Sequence, residues 1–145
     1  MTTSGKLDDV DLEVLRVLKE NARLTYREIG ERLGLSESTV RRRVKKLVKL
    51  GVIRKFTVEI NLEKIGPYVV SFLTIIPSAI KTERVMEELK QFDEIEEVYY
   101  TSGRCGILAK AVVKSIRDLD ELIRRIRKIR GVLTVESCVI LRRVK

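Results

Sequence analysis

The segment Gly34-Leu35-Ser36-Glu37-Ser38-Thr39-Val40-Arg41-Arg42-Arg43-Val44-Lys45-Lys46-Leu47 carries five cations, a row of short hydroxyl side chains and three apolar anchors. The chemistry open to it is electrostatic. Arginine and lysine donate charge-assisted hydrogen bonds to phosphate oxygens. Ser36, Ser38 and Thr39 are short enough for a helix to approach a groove floor closely. From Ser36 to Lys55 there are eight cations (Arg41, Arg42, Arg43, Lys45, Lys46, Lys49, Arg54, Lys55) and one acid, Glu37. Arg41/Lys45 and Arg42/Lys46 are like charges at i,i+4, which costs a few tenths of a kcal/mol per pair unless an anion neutralises them. DNA phosphates do so and release counterions. The alternative, a solvated helix face, would mix the two signs.

Other chemistry is poorly provided for. The chain has no His and two widely spaced cysteines, Cys105 and Cys138. That leaves no imidazole base, no Ser-His or Cys-His nucleophile and too few ligands for a structural zinc site. Glu94, Glu96 and Glu97 read as a solvated acidic run, and no Gly-rich phosphate loop is present. The expectation is therefore no enzyme, no cofactor and no metal. The net charge of +9 calls for an anionic partner. With 35% charged residues, one Gln and no His, the surface also points to a thermophilic prokaryote. A polar, acidic N-terminus and the lack of long apolar runs predict a cytoplasmic protein with reduced thiols and no membrane partner.

The basic segment needs elements to hold it. Asp8, with Asp11 three residues on and Leu7/Leu12 as a hydrophobic staple, predicts the start of a first helix that closes at Asn21-Ala22. Thr25 and Glu28 form a capping box for a short second helix ending at Gly34. Ser36 caps a third helix with Val40, Val44, Leu47 and Val48 on its inner side and Gly51 as its stop. The short turn at Gly34 is that of a helix-turn-helix. Val52–Ile60 reads as a strand, a wing. In this arrangement Ser36, Glu37, Ser38 and Thr39 at the helix start are candidates for close approach to the DNA groove, with Ser38, Thr39, Arg42 and Arg43 the candidates for base or groove-edge contacts. Tyr26, Arg27, Arg41, Lys46, Arg54 and Lys55 are candidates for phosphates.

After Gly66-Pro67 the pattern is strand (68–76), helix (81–91), strand (95–101), hairpin at Gly103 and Gly106, strand (107–113), helix (116–129), Gly131, strand (132–141). This β-α-β-β-α-β order is ferredoxin-like. Both helices fall on one face of the sheet, and a partner subunit is the simplest cover for the other. The expected fold class is α+β, with a winged helix-turn-helix at 1–60, a linker at 61–66 and the ferredoxin-like domain at 67–145.

With these residues placed, the chain resembles the Lrp/AsnC family of transcription regulators. The resemblance rests on Leu7-Asp8-x-x-Asp11-x-x-x-Leu15-x-x-Leu18-x-x-Asn21-x-Arg23, and on Gly34-Leu35-Ser36-x-x-x-Val40-x-x-Arg43-x-x-x-Leu47-x-x-x-Gly51-Val52-Ile53. Ser102-Gly103 and Gly131-Val132 extend it into the second half. It implies double-stranded DNA as partner, a homodimer formed through the sheet of the ferredoxin-like (RAM) domain, and in many members an octamer of four dimers. It also implies an amino-acid effector near a Thr-Gly-x-x-Asp hairpin, here Thr101, Ser102, Gly103, Arg104 and Gly106, with Ser137 on the last strand. The sequence departs from the pattern there. Gly106 stands where the family has Asp, which removes a carboxylate for an effector's ammonium group, and Val135 replaces a family threonine. Arg104 adds a cation that favours an effector carboxylate. Turn geometry is the other reading of Gly103 and Gly106. The resulting expectation is a DNA-binding transcription regulator modulated by a small effector, the alternative being an architectural DNA-wrapping protein.

Overall fold

Helix α1 spans Asp9–Glu20 and begins in a complete capping box. Asp8 accepts from the Asp11 N–H at 2.9 Å, and Asp11 accepts from the Asp8 N–H at 3.1 Å. Helix α2, Tyr26–Leu33, opens the same way: Thr25 Oγ1 accepts from the Glu28 N–H, and Glu28 accepts from the Thr25 N–H. Helix α3, Glu37–Lys49, is capped by Ser36, whose hydroxyl accepts from the Thr39 N–H at 3.2 Å. The structure is a computed structural model describing residues 6–144. The first five residues and Lys145, which belong to the domain ranges expected from sequence, lie outside the described residues.

Amphipathic spacing then packs the three helices. Val14, Val17, Leu18, Ile29, Val40, Val44 and Leu47 are buried together. Each such side chain contributes ~1.5–3 kcal/mol relative to exposure. Two glycines shape the passage from α2 to α3, one inside α2 and one in the turn. Gly34 takes a left-handed φ of 66°. Gly30 lies against the Leu35 carbonyl so closely that a β-carbon there would collide with backbone.

Some local expectations are corrected. Leu12 is 52% exposed, so Leu7 packs on the core without it as a staple partner, and Val48 is 47% exposed. Val52–Ile60 is not a strand. The N–H groups of Val52 and Ile53 both bond the Leu47 carbonyl, finishing the helix end. Beyond them Phe56, Val58 and Ile60 are exposed, and among the described residues of the helical unit no strand offers a ladder to join. Residues with strand propensity need such a ladder, which sequence pattern does not supply.

The chain divides into two compact units between Glu59 and Ile60. The second contains β1 (Val69–Pro77), α4 (Thr82–Leu89), β2 (Ile95–Tyr100), β3 (Ile107–Val113), α5 (Ile116–Arg127) and β4 (Val132–Val139). The strand order is β2-β3-β1-β4, with every neighbouring pair antiparallel. Strand register places Leu73 between Ala109 and Ser137, and Ile75 between Ile107 and Val135. Leu73, Ile75, Ile107, Ala109, Ala111 and Val135 bury one sheet face under Val85, Leu89, Leu122 and Ile126 of the helices. The alternate positions Val70, Phe72, Ile76, Leu108 and Val112 are only half-buried or exposed. Within this unit that face has no second layer.

Candidate nucleic-acid interface

At 100° per residue, Ser38, Arg42, Lys45 and Lys49 form a row on α3 opposite Val40, Val44 and Leu47. All four are exposed. Among the described residues Arg42, Lys45 and Lys49 take part in no ion pair. Sequence reasoning named Ser38 and Arg42 but passed over Lys45 and Lys49 as site residues. Helical angle measured from the buried anchors was the signal that could have found them. Arg54 and Lys55 follow in the exposed segment after α3.

The flank of α3 facing α2 is occupied differently. Arg41 pairs with Glu37 at 2.6 Å and lies 5.5 Å from the centre of the half-buried Tyr26 ring. Arg27 pairs with Glu31 at 3.0 Å on the surface of α2. These pairs are exposed, hence weak and open to exchange with phosphate. Ser36 is spent on capping: its hydroxyl also lies 2.8 Å from Thr39 Oγ1 and 3.1 Å from Ser38 Oγ. Ser36 and Thr39 therefore hold the helix start, and Ser38, exposed beside them, touches the same cluster through its hydroxyl.

On the other flank two cations expected to contact DNA are engaged within the protein. Arg43, assigned to the groove edge, and Lys46, assigned to phosphates, point back toward α1. Arg43 Nη1 lies 3.0 Å from Asp11 Oδ1 and also pairs with Asp8. Lys46 Nζ lies 2.5 Å from Asp11 Oδ2. The Asp11 side chain is 0% exposed, against 20% for Arg43 and 34% for Lys46. Burial alone would push the Asp11 carboxyl up. Hydrogen bonds from Lys46, Arg43 and the Asp8 N–H outweigh it and hold the group at about 2. The Arg43 hydrogen bond likewise holds Asp8 below its ordinary value. The periodicity of α3 places 43 and 46 on a flank; only the position of α1 makes that flank an inward one.

The candidate effector residues are partly gathered. Thr101 ties the hairpin shut, its N–H and its hydroxyl both donating to the Gly106 carbonyl at 2.8 and 2.9 Å. Ser102 precedes a 3-10 turn, Gly103–Cys105, that carries the exposed Arg104. Gly106 has φ 59° and ψ −108°, and a β-carbon there would stand 2.8 Å from the Ile75 carbonyl oxygen. Glycine is therefore a packing requirement at this position, and no aspartate fits without moving β1. Ser137 does not join the group. It lies on edge strand β4, separated from the β2–β3 hairpin by β1. Both cysteines are free and exposed. Among the described residues no cluster could hold a metal, and no helix is long and apolar enough to cross a membrane.

Comparison with known proteins agrees with this geometry. Residues 7–54 match the winged helix-turn-helix DNA-binding family, and residues 71–145 match the Lrp/AsnC ligand binding domain. The chain is 40% identical over 132 residues to the HTH-type transcriptional regulator Ptr1 of Methanocaldococcus jannaschii, covering 91% of this chain and 88% of that one. It is 36% identical over 140 residues to the regulator LrpA of Pyrococcus horikoshii, covering 96% and 99%. The solved structure of Escherichia coli AsnC superposes with a TM-score of 0.85 at 30% identity, over 97% of this chain and 95% of that one.

Proposed function

Because the chain belongs to the Lrp/AsnC family of transcriptional regulators, DNA-binding proteins and not enzymes, we propose that it recognises a pseudo-palindromic DNA site through α3. The observation that carries this reading is the outer row of α3. Three exposed cations without ion partners share one face with Ser38, on a helix held rigidly by its cap and three buried anchors. Arg42 and Ser38, nearer the helix start, serve base edges. Lys45 and Lys49, with Arg54 and Lys55, serve phosphates. Tyr26, Arg27 and Arg41 form the second edge of the contact.

A homodimer brings two copies of α3 to one duplex. The sheet face bearing Phe72, Ile76, Leu108 and Val112, which its own unit leaves without a layer, supports dimerisation through that face, with assembly to an octamer as the larger form. The protein acts in the cytoplasm. The effector is a small molecule bound near Thr101–Gly106. Arg104 favours a carboxylate, while the glycine required at 106 leaves an ammonium group without the carboxylate the family pattern provides.

The test is a fluorescence-anisotropy titration against a duplex selected from a random library and a scrambled duplex of the same composition. The expected result is preference for the selected duplex, with log K falling by ~0.9 per neutralised phosphate as log salt rises. Equal affinity for both duplexes would refute sequence recognition and favour an architectural role. A thermal-shift screen of amino and other small organic acids tests the effector. A lone stabilising acid identifies its class.

A further inference from the structure

Arg43 and Lys46 sit on a helix where Arg42, Lys45 and Lys49 take part in no ion pair among the described residues, yet both are engaged by one fully buried carboxylate. Asp11 takes Lys46 on one oxygen at 2.5 Å and Arg43 on the other at 3.0 Å. Its own helix start adds Asp8 to Arg43 and the Lys6 carbonyl, at 3.2 Å, to Lys46. These contacts join residues 32 to 40 positions apart, tying the first turn of α1 to the middle of α3. Asp11 is also the residue that closes the α1 capping box, so its carboxylate cannot swing away without opening that helix. Arg43 Nε is buried without an acceptor among the described residues, so within these the carboxylates, and not full hydrogen-bond satisfaction, decide where the guanidinium lies.

Resting on the DNA-binding reading above, we infer that Asp11 is a positioning residue for DNA recognition: it withholds Arg43 and Lys46 from the duplex and fixes the rotation of α3, so that the Ser38–Arg42–Lys45–Lys49 row meets the groove. Lys46 lies only about 40° around the helix from Arg42. A modest rotation of α3 would therefore exchange the two at the DNA. Phosphate attracts any lysine, so an unclamped Lys46 would raise affinity for every sequence while displacing the side chain that reads bases. The clamp opposes that exchange by giving Lys46 and Arg43 a better-placed anion inside the protein.

The experiment measures salt slopes and duplex preference on the full-length protein, with selected and scrambled duplexes as probes. Lys46→Gln, at the more exposed arm of the clamp, leaves the salt slope unchanged if Lys46 does not touch phosphate. Asp11→Asn steepens the slope by ~0.9 for each cation it releases and lowers the preference for the selected duplex by about tenfold or more. Adding Arg43→Gln and Lys46→Gln to Asp11→Asn returns the slope toward wild type while preference stays low. A melting curve confirms that each protein read is folded, and Asp11→Ser, equally without a carboxylate, substitutes for Asp11→Asn if the latter is not. A slope flattened by ~0.9 in Lys46→Gln, or undiminished preference in the Asp11 variants, would overturn the proposal. If wild type shows no preference at all, the regulator reading fails by itself, and the slopes on the scrambled duplex still decide whether Lys46 is withheld.

Discussion

Asp11→Asn should destabilise the helical unit by an amount that depends on pH in a defined way. The substitution keeps the side chain's volume and deletes the one carboxylate that Arg43 and Lys46 share. Hydrogen bonds from these cations hold the buried carboxyl at about 2 instead of 3.8. A depression of that size corresponds to ~2 kcal/mol of stability at neutral pH. Removing one partner from a buried ion pair costs ~3–5 kcal/mol when the other charge is stranded. Here Arg43 is 20% and Lys46 34% exposed, so water recovers part of their solvation. The expected cost is therefore at the lower end, ~2–3 kcal/mol, or a melting point lower by ~8–20 °C for a domain of this size. Melting followed by far-ultraviolet circular dichroism at neutral pH measures it.

A folded-state pKa below the unfolded value contributes stability that is fully present above the unfolded value and lost as pH falls through the folded one. The gap between wild type and variant should stay constant at neutral pH, narrow below 3.8 and nearly close by about 2. Equal stability at neutral pH would refute the ion-pair reasoning, and so would a gap that does not change in acid.

Three further outcomes are expected. Lys45→Ala and Lys49→Ala should each weaken selected and scrambled duplexes alike and reduce the salt slope by ~0.9, whereas Arg42→Ala should cost ~1–3 kcal/mol on the selected duplex alone, all read by anisotropy titration. Gly30→Ala should destabilise the helical unit by ~1–3 kcal/mol in a denaturant melt, because the new methyl meets the Leu35 carbonyl; Gly34→Ala, with open space but φ 66°, should cost only ~1–2 kcal/mol. Gly106→Asp should lower the melting point of the second unit and gain no amino-acid binding in a thermal-shift assay, since its β-carbon would stand 2.8 Å from the Ile75 carbonyl oxygen.

Much of the fold was legible because it is written in short-range interactions. The caps at Asp8, Thr25 and Ser36 act over three residues, and each begins its helix where sequence placed it. The helical repeat of Val40, Val44 and Leu47 identifies the buried face of α3 correctly. The strand expected at Val52–Ile60 was not formed, because β-propensity without a neighbouring ladder leaves backbone groups to solvent. Ser137 was grouped with the hairpin by family pattern, yet strand order puts β1 between β4 and the β2–β3 hairpin.

Sequence by itself determined that a basic, well-capped helix follows a tight turn and that a β-α-β-β-α-β unit follows it. Composition and i,i+3 or i,i+4 spacing suffice for that, since the deciding contacts lie within one turn of helix or one strand. Tertiary structure alone decided which cations of that helix remain free. Arg42 and Arg43 are adjacent and chemically identical, but the packing of α1 places the buried Asp11 beside Arg43, whereas Arg42 has no ion partner among the described residues. The same holds at Gly106, where the nearness of the Ile75 carbonyl determines that no side chain fits. Both outcomes depend on distances between segments some thirty residues apart, which no local pattern encodes.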